Sequence, residues 1–187
     1  RILRGSGLNG LISLDKKTQN NNINIIRPLL NFEKKDLTYI SKFIFGFFVE
    51  DPSNEDDKFK RVKIRGFLKK LETEGLDKKK FLLTINNLKF SNETIKFYTK
   101  ENLDNNVTFF KKKKYVILKN SFFFNSSEVV FRSFSEVIKI VGKKYHPVRG
   151  KKIVNITQLI NDKPSFKVTL GGCVIKKINE TVIVSKE

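Results

Sequence analysis

The stretch DPSNEDDKFKRVKIRGFLKKLETEG, residues 51–75, predicts a tight turn followed by one helix. Residues 51–54 have the composition of a turn, in which Ser53 or Asn54 can accept hydrogen bonds from the first amides of the helix. The three carboxylates that follow place negative charge at the positive end of the helix dipole. We expect the helix to end at Gly75, because glycine readily takes the left-handed conformation that closes a helix.

This predicted helix has an apolar and a basic face. Its apolar side chains recur at helical spacing and should face the protein interior: Ile64, Phe67, Leu68 and Leu71. Basic side chains follow one another at spacings of three, four and four residues and line the face beside that stripe: Lys58, Arg61, Arg65 and Lys69. Such a row suits contact with phosphates or substrate, and a merely solvated face is the alternative.

Upstream of the turn, the sequence predicts a strand and an amphipathic helix. Ile23–Leu30 is apolar, β-branched and bounded by Asn, which is typical of a short buried strand. Apolar residues then recur at helical spacing within Glu33–Gly46. Arg27 precedes Pro28 at the end of the predicted strand, where ligands gather in open α/β sheets. The alternative is a simply exposed arginine.

Downstream of the turn, Asp77 can cap a further helix, and another helical stretch is expected over residues 94–103. The charge run Lys111–Lys114 predicts either a solvated linker or a phosphate-contacting patch. We place a boundary between two units near residue 110, because the sequence changes there from helical spacing to short apolar runs.

Beyond that boundary the sequence predicts a mixture of strands and one helix. Short strands are expected at Tyr115–Leu118 and Phe122–Phe124. A helix capped by Ser126 or Ser127 should end at Gly142. The last apolar segments predict a β-hairpin with its turn at Asn179-Glu180 and its arms at residues 168–178 and 181–185.

The composition favours a partner with negative charge. The 187 residues carry 38 Lys and Arg against 19 Asp and Glu, a formal net charge of +19. A surface this basic attracts polyanions such as nucleic acids. A codon bias towards Lys, Asn, Ile and Phe could inflate the lysine count, but it would not by itself halve the carboxylates relative to the cations. No stretch approaches membrane-spanning length.

The single cysteine and single histidine restrict the possible chemistry. Cys173 alone excludes a disulfide framework and a cysteine-based zinc site. His146 lies in a Tyr-His-Pro loop without a candidate nucleophile nearby in sequence, so we expect it to be structural. A reducing, cytoplasmic setting fits these features. The chain contains no Met, which leads us to expect a fragment or a processed product.

Three segments in order resemble one protein family. They are Arg4-Gly5-Ser6-Gly7 followed by Gly10-Leu11, then Ile26-Arg27-Pro28-Leu29-Leu30, and finally Asp51–Asp57 with Arg61 and Arg65. With these gaps the chain resembles the tRNA(Ile)-lysidine synthetases, members of the N-type ATP-pyrophosphatase, or PP-loop, group. One position departs from the pattern, because Val62 stands where the family usually has Asn.

The resemblance continues to the end of the chain, where Thr169-Leu170-Gly171-Gly172-Cys173 opens the terminal hairpin as in shorter versions of these enzymes. The implied fold is α/β. Residues 1–76 would form the tail of a Rossmann-like PP-loop ATPase domain, residues 77–110 a helical connector, and residues 111–187 a small α+β tRNA-binding unit.

The resemblance also implies a reaction. Such ligases use ATP, with magnesium, to adenylate the carbonyl of the wobble cytidine in a tRNA(Ile) with a CAU anticodon. The ε-amino group of L-lysine then displaces AMP and leaves lysidine. The family holds ATP on a Ser-Gly-Gly-x-Asp-Ser loop, which these 187 residues do not contain. We therefore expect a carboxyl-terminal fragment that binds tRNA, is inactive alone and contacts no membrane. The resemblance is compatible with a homodimer.

By the same resemblance, individual residues acquire roles. Arg4 and Arg27 would be catalytic, because a guanidinium can stabilise developing negative charge. The nucleotide would be contacted by Gly5, Ser6 and Gly7, although these glycines could instead only stop a helix. Contacts to tRNA would come from Lys58, Arg61, Arg65 and Lys69. The resemblance assigns no metal ligand to this chain.

Two other functions remain open at this point. A stand-alone, non-catalytic RNA-binding module would explain the positive charge and the lack of an ATP loop, but it leaves the Arg-Gly-Ser-Gly segment without a purpose. A scaffold domain whose charge reflects codon bias predicts no preference among nucleic acids. The salt dependence of binding separates this scaffold from the two RNA-binding functions.

Overall fold

The computed structural model describes residues 7–12, 15–20, 23–110, 114–144 and 148–187. Contacts between Cα atoms divide the chain into unit 1, residues 1–89, and unit 2, residues 90–187. The division falls inside one helix, within the range that we predicted as a connector. Both units combine helices with strands, as the predicted mixed fold requires.

Unit 1 begins with a short helix and an antiparallel hairpin: α1 spans Leu8–Leu11, β1 spans Lys17–Asn20 and β2 spans Ile23–Ile26. The predicted buried strand over residues 23–30 is wrong in length and in burial, since β2 is exposed along its whole length. The strand cannot continue because Pro28 has no N–H to donate to a ladder. The chain forms a 3-10 helix there, Pro28–Asn31.

Helix α2, Lys34–Phe45, confirms the predicted amphipathic helix. Glu33 and Asp36 cap its start reciprocally, because each side chain accepts a hydrogen bond from the backbone amide of the other residue. Gly46 ends it with a φ of 75°, in the left-handed region. Signals adjacent in sequence therefore set both ends of this helix.

Helix α3, Lys60–Thr73, starts later than predicted. The expected caps at Ser53 and Asn54 are wrong, because residues 52–54 form a separate 3-10 helix. Asp51 Oδ1 accepts a hydrogen bond from the Ser53 amide at 2.9 Å, which fixes that turn. Side-chain bonds of this local kind compete with helix formation, so α3 begins only after the acidic segment.

The end of α3 confirms the predicted stop, while its apolar stripe is not buried. Gly75, with a φ of 101°, follows the last turn. Phe67 is 60% exposed, and Ile64 and Leu68 are also exposed. No described side chain in residues 7–89 is buried.

Helix α4 is one continuous element of 29 residues, Lys78–Asn106. Asp77 Oδ1 accepts hydrogen bonds from the amides of Lys79 at 2.7 Å and Lys80 at 3.4 Å, which confirms the predicted cap. The two helical stretches that we predicted separately are joined, because no glycine or proline interrupts residues 78–106.

The strands of unit 2 form one antiparallel sheet in the order β3-β4-β7-β6-β5. Their bounds are Val107–Phe110 for β3, Tyr115–Leu118 for β4, Ser165–Leu170 for β5, Cys173–Ile178 for β6 and Thr181–Lys186 for β7. The predicted strand β4 is confirmed. The predicted turn at Asn179-Glu180 is also confirmed, between β6 and β7.

Two strand predictions in unit 2 are wrong. Phe122–Phe124 belongs to a 3-10 helix, Asn120–Phe124, in which the Phe122 side chain is buried against the rings of Phe123 and Phe134. The predicted arm 168–178 is two strands, because Gly171 and Gly172 take positive φ values of 65° and 77° and turn the chain. Consecutive positive φ values match the twist of a tight hairpin.

Two helices cover one face of the sheet and complete the core. Helix α5, Ser127–Gly142, confirms the predicted helix and buries Phe134, Val137 and Ile138. Helix α6, Gly150–Asp162, was not predicted, although its buried residues Ile153, Ile156 and Ile160 recur at helical spacing. Alternate residues of the central strands face these helices: Val116, Leu118, Cys173, Ile175, Val182 and Val184.

Candidate nucleic-acid-binding site

Basic residues of unit 1 gather in a cleft of about 800 Å³, which we name the α3 cleft. The start of α2, the turn after residue 53 and one face of α3 line it. Its cations are Lys34, Lys63, Arg65, Lys69 and Lys70, and its carboxylates are Glu55 and Asp57. Because cations outnumber carboxylates, the lining favours an anionic ligand such as a phosphate backbone.

The helical repeat of α3 brings two predicted tRNA-binding residues together. Arg65 and Lys69 are four residues apart, so their side chains leave the same face, and both line the cleft. Gly66 lies beside them, and a Cβ built at this position meets nothing within 4 Å. The backbone of α3 is therefore open to a ligand between these two cations.

Arg61 is engaged elsewhere, although it lies one turn before Arg65. Its Nη2 donates a hydrogen bond to Ser53 Oγ at 2.9 Å, and its guanidinium lies 5.1 Å from the centre of the Phe59 ring. Hydrogen bonds from Ser53 lower the pKa of Asp51, and the nearby charge of Arg61 adds to this effect. Arg61 thus supports the turn that precedes α3 and does not line the α3 cleft.

Lys58 is the fourth residue of the predicted basic row. It precedes the first residue of α3, so helical spacing does not place it above Arg61. Its backbone amide donates a hydrogen bond to Asp56 Oδ1 at 2.9 Å. Lys58 is exposed but does not line the α3 cleft.

Arg27 follows β2 directly, as predicted, but the described strands around it form an antiparallel hairpin. Its Nη1 donates hydrogen bonds to Thr18 Oγ1 at 2.8 Å and to the Asp15 carbonyl at 3.2 Å. Its backbone amide donates to the Lys16 carbonyl at 2.7 Å. These bonds give Arg27 a structural role in joining the two arms of the hairpin.

Of the predicted nucleotide contacts, only Gly7 lies within the described residues, and Arg4, Gly5 and Ser6 lie outside them. Gly7 precedes α1 with a φ of −65°, so it is not in the left-handed conformation expected of a helix stop. Its carbonyl accepts hydrogen bonds from the amides of Gly10 at 2.8 Å and Leu11 at 3.2 Å.

Three cations of the α3 cleft were missed by the sequence reasoning. Lys63 and Lys70 lie on the predicted helix but outside the spacing pattern that selected the basic row. Lys34 comes from α2, and its Nζ lies 5.8 Å from the centre of the Phe48 ring. No sequence spacing relates Lys34 to α3, because only the packing of unit 1 brings them to one cleft.

Comparison with known proteins shows which proteins resemble the part of the chain that forms this cleft. Residues 1–72 match the family model of a PP-loop domain. The tRNA(Ile)-lysidine synthase of Wolbachia pipientis wMel is 29% identical over 188 residues, which cover 100% of this chain and 44% of the relative. That of Rickettsia akari is 32% identical over 194 residues, covering 100% and 43%. This chain is similar to tRNA(Ile)-lysidine synthases over its whole length.

The resemblance inferred from the three motifs is therefore confirmed. The chain spans less than half the length of these lysidine synthases. A third relative, from Bradyrhizobium diazoefficiens, is 39% identical over 77 residues, or 41% of this chain. All residues that line the α3 cleft fall within the range that matches the PP-loop model.

One position of the cleft departs from the lysidine synthase pattern. Val62, the position at which the sequence resemblance leads us to expect Asn, lies in the lining. A valine side chain offers no hydrogen bond, so polar contacts at this point of the cleft must come from its neighbours.

Among the described residues, no group of three or more His, Cys, Asp or Glu is placed to hold the magnesium that the lysidine synthase resemblance implies. We therefore assign no step of the chemistry to a metal held by these residues. None of the helices in the described ranges is long and apolar enough to cross a membrane.

Proposed function

We propose that this chain is part of a ligase that converts the wobble cytidine of a CAU-anticodon tRNA(Ile) to lysidine with ATP and L-lysine. The observation that carries the proposal is the α3 cleft, where five cations line a space within the PP-loop match. The similarity of the whole chain to tRNA(Ile)-lysidine synthases supports the choice of tRNA and lysine as substrates.

In the proposed reaction, the cytidine carbonyl oxygen attacks the α-phosphate of ATP and pyrophosphate leaves. The ε-amino group of lysine then attacks the activated carbon, AMP leaves with the bonding electrons, and the amine loses a proton. Arg65 and Lys69 neutralise backbone phosphates in this proposal, which positions the tRNA without reading its sequence.

The remaining assignments are also proposals. Arg4 and Arg27 would stabilise negative charge during the reaction, while Gly5, Ser6 and Gly7 would contact the nucleotide. Without the Ser-Gly-Gly-x-Asp-Ser loop, the 187 residues alone should bind tRNA and form no lysidine. The proposed setting is the cytoplasm, and the proposal is compatible with a homodimer.

The α3 cleft is tested by measuring the affinity of the 187-residue chain for a fluorescent CAU-anticodon tRNA(Ile) transcript. We expect the double variant Arg65→Ala, Lys69→Ala to bind about tenfold more weakly, because two phosphate contacts are lost. The matched control is Lys42→Ala, Lys79→Ala, which removes the same charge from exposed positions of unit 1 outside the cleft.

Equal affinities of the two double variants would contradict the α3 cleft as the tRNA site. The same preparations, mixed with ATP and radiolabelled lysine, should incorporate no lysine into the transcript. Incorporation by this chain alone would overturn the proposed dependence on a separate ATP loop.

A further inference from the structure

A second basic cleft lies in unit 2, between the β3–β4 hairpin and the carboxyl-terminal end of α5. We name it the hairpin cleft. Its volume is about 320 Å³, at the lower end of the range of roughly 300–1,000 Å³ for small-ligand sites. It is separate from the α3 cleft, since no residue lines both.

The hairpin cleft combines cations with aromatic surface. Its lysines are Lys114, Lys143 and Lys186, and none of its lining residues is acidic. The carboxylate on the adjacent part of α5 is Glu136, which lies 3.7 Å from the Lys139 ammonium. The three lysines therefore face the cleft without a carboxylate in its wall.

Aromatic side chains of the hairpin supply flat surfaces for stacking. The rings of Phe110 and Tyr115 lie 4.9 Å apart at an interplanar angle of 27°, across the β3–β4 pair. Phe110 is 37% exposed, so part of this aromatic surface is open to a ligand. Exposed rings beside lysines are the two features that bind a base and its phosphate.

Two of the lysines have a backbone conformation that lysine rarely adopts, which points to a need for their side chains beyond folding. Lys114 and Lys143 have φ values of 55° and 50°, and the only other non-glycine residue with positive φ in the described ranges is Asn179. Glycine or asparagine takes this conformation at much lower cost than lysine. At Lys143, the left-handed residue that follows α5, glycine is the usual choice. Strain of this kind clusters at functional sites.

We propose that the hairpin cleft binds one unpaired nucleotide of an RNA strand, with the base against the Phe110 and Tyr115 rings and the phosphate between the lysines. The choice of RNA as the strand rests on the proposed function. An unpaired nucleotide fits because a base in a helix is stacked on its neighbours and cannot reach these rings. Binding would tolerate different bases, since every base has a flat face.

The test compares a short single-stranded RNA with a duplex of the same length, both fluorescently labelled, titrated with the 187-residue chain. We expect the double variant Lys114→Gly, Lys143→Gly to bind the single strand about tenfold more weakly. Its melting temperature should stay equal or rise, because glycine suits both backbone conformations. The matched control is Lys151→Ala, Lys152→Ala on α6, which removes the same charge from exposed positions outside the cleft.

A second variant keeps the charge and removes aromatic surface. Phe110→Leu should weaken the single strand and leave the affinity for the duplex unchanged. Three outcomes would overturn the proposal. The two lysine double variants could lose the same affinity for the single strand, or Phe110→Leu could lower the affinities for the single strand and the duplex equally. The third outcome is that AMP binds wild type as tightly as the single strand does. The last result would assign the cleft to a free nucleotide.

The two proposals can fail separately. The α3-cleft variant Arg65→Ala, Lys69→Ala and the hairpin-cleft variant are measured in parallel with the tRNA transcript and the single strand. Loss of tRNA affinity only in the α3-cleft variant, with single-strand affinity intact in the hairpin-cleft variant, overturns the hairpin cleft alone. If neither variant differs from its control, both proposals fail.

Discussion

Arg61 and Arg65 lie one turn apart on α3, but their side chains make different contacts. Arg65 lines the α3 cleft, whereas the guanidinium of Arg61 is hydrogen-bonded to Ser53 and packed on Phe59. The sequence hypothesis treated the two as one phosphate-binding pair. The two differ because Ser53, in the 3-10 helix before α3, accepts a hydrogen bond from Arg61 and holds it away from the cleft lining.

At the scale of one residue, the positive φ of Lys143 should lower the stability of the folded protein. Lys143→Gly should raise the free energy of unfolding by about 0.5–1 kcal/mol, because glycine removes the clash of Cβ with the backbone at positive φ. Urea denaturation measures it. Lys139→Gly inside α5 is the control and should lower stability by about 1 kcal/mol. A loss of stability in both variants would contradict the strain.

Cys173 makes stability depend on pH through its thiol. Burial raises the pKa of Cys173 above its ordinary value of 9.0, and Glu187 contributes to the rise. The folded protein favours the neutral thiol. The contribution of this thiol to the free energy of unfolding is therefore fully present below its pKa in the unfolded protein. It is lost as the pH rises through its pKa in the folded protein.

We therefore expect the urea midpoint to fall, as the pH rises above about 9, by more in wild type than in Cys173→Ser. The variant has no thiol to titrate, while all other groups remain. Identical pH dependence in the two proteins would show that this thiol does not contribute. Cys173→Ser should also leave tRNA binding unchanged, because Cys173 lines neither cleft.

At the scale of elements, one asparagine joins three of them in unit 2. Asn102 of α4 is buried, and its Nδ2 donates hydrogen bonds to the Phe122 carbonyl and to Ser133 Oγ of α5, both at 3.2 Å. Its Oδ1 accepts from Asn106 at 2.8 Å and from Asn125 at 3.0 Å. Both ends of its amide are satisfied, which makes this contact specific.

Asn102→Ala should lower the free energy of unfolding by about 2–3 kcal/mol, because it leaves buried partners without hydrogen bonds. Chemical denaturation followed by circular dichroism measures the change. Asn105→Ala is the control on the same helix, since Asn105 is exposed and its carbonyl, not its side chain, accepts from Lys119. Equal effects of the two substitutions would sink this role for Asn102.

At the scale of the whole molecule, the net charge of +19 makes RNA binding sensitive to salt. We expect the logarithm of the tRNA association constant to fall linearly with the logarithm of salt concentration, by roughly 0.7–0.9 for each phosphate neutralised. Fluorescence titrations at several salt concentrations give this slope. The Arg65→Ala, Lys69→Ala variant should have a shallower slope, and a flat response in wild type would favour the scaffold hypothesis.

The candidate site was predictable only where its residues share one helix. Arg65 and Lys69 were paired correctly because a helical repeat of four residues fixes their common face. Lys34 could not be predicted, because it reaches the cleft from another helix. Lys58 was misplaced because Asp51 and Asp56 hold local turns that delay the start of α3.

The sequence by itself determined the features that depend on neighbouring residues. Glu33 and Gly46 set the ends of α2, Asp77 starts α4, and Asn179-Glu180 turns the last hairpin, since each acts through bonds or backbone preferences within a few residues. The resemblance to the tRNA(Ile)-lysidine synthetases was also recognised from the sequence by itself, because short motifs in a fixed order carry it.

Only the tertiary structure decided what depends on distant pairing. It placed β7 between β4 and β6, buried Cys173 against the Ile138 carbonyl, and brought Lys114, Lys143 and Lys186 to one cleft. These lysines come from a hairpin turn, a helix end and a last strand. Their meeting follows from how the sheet closes over α5, which no local pattern of residues encodes.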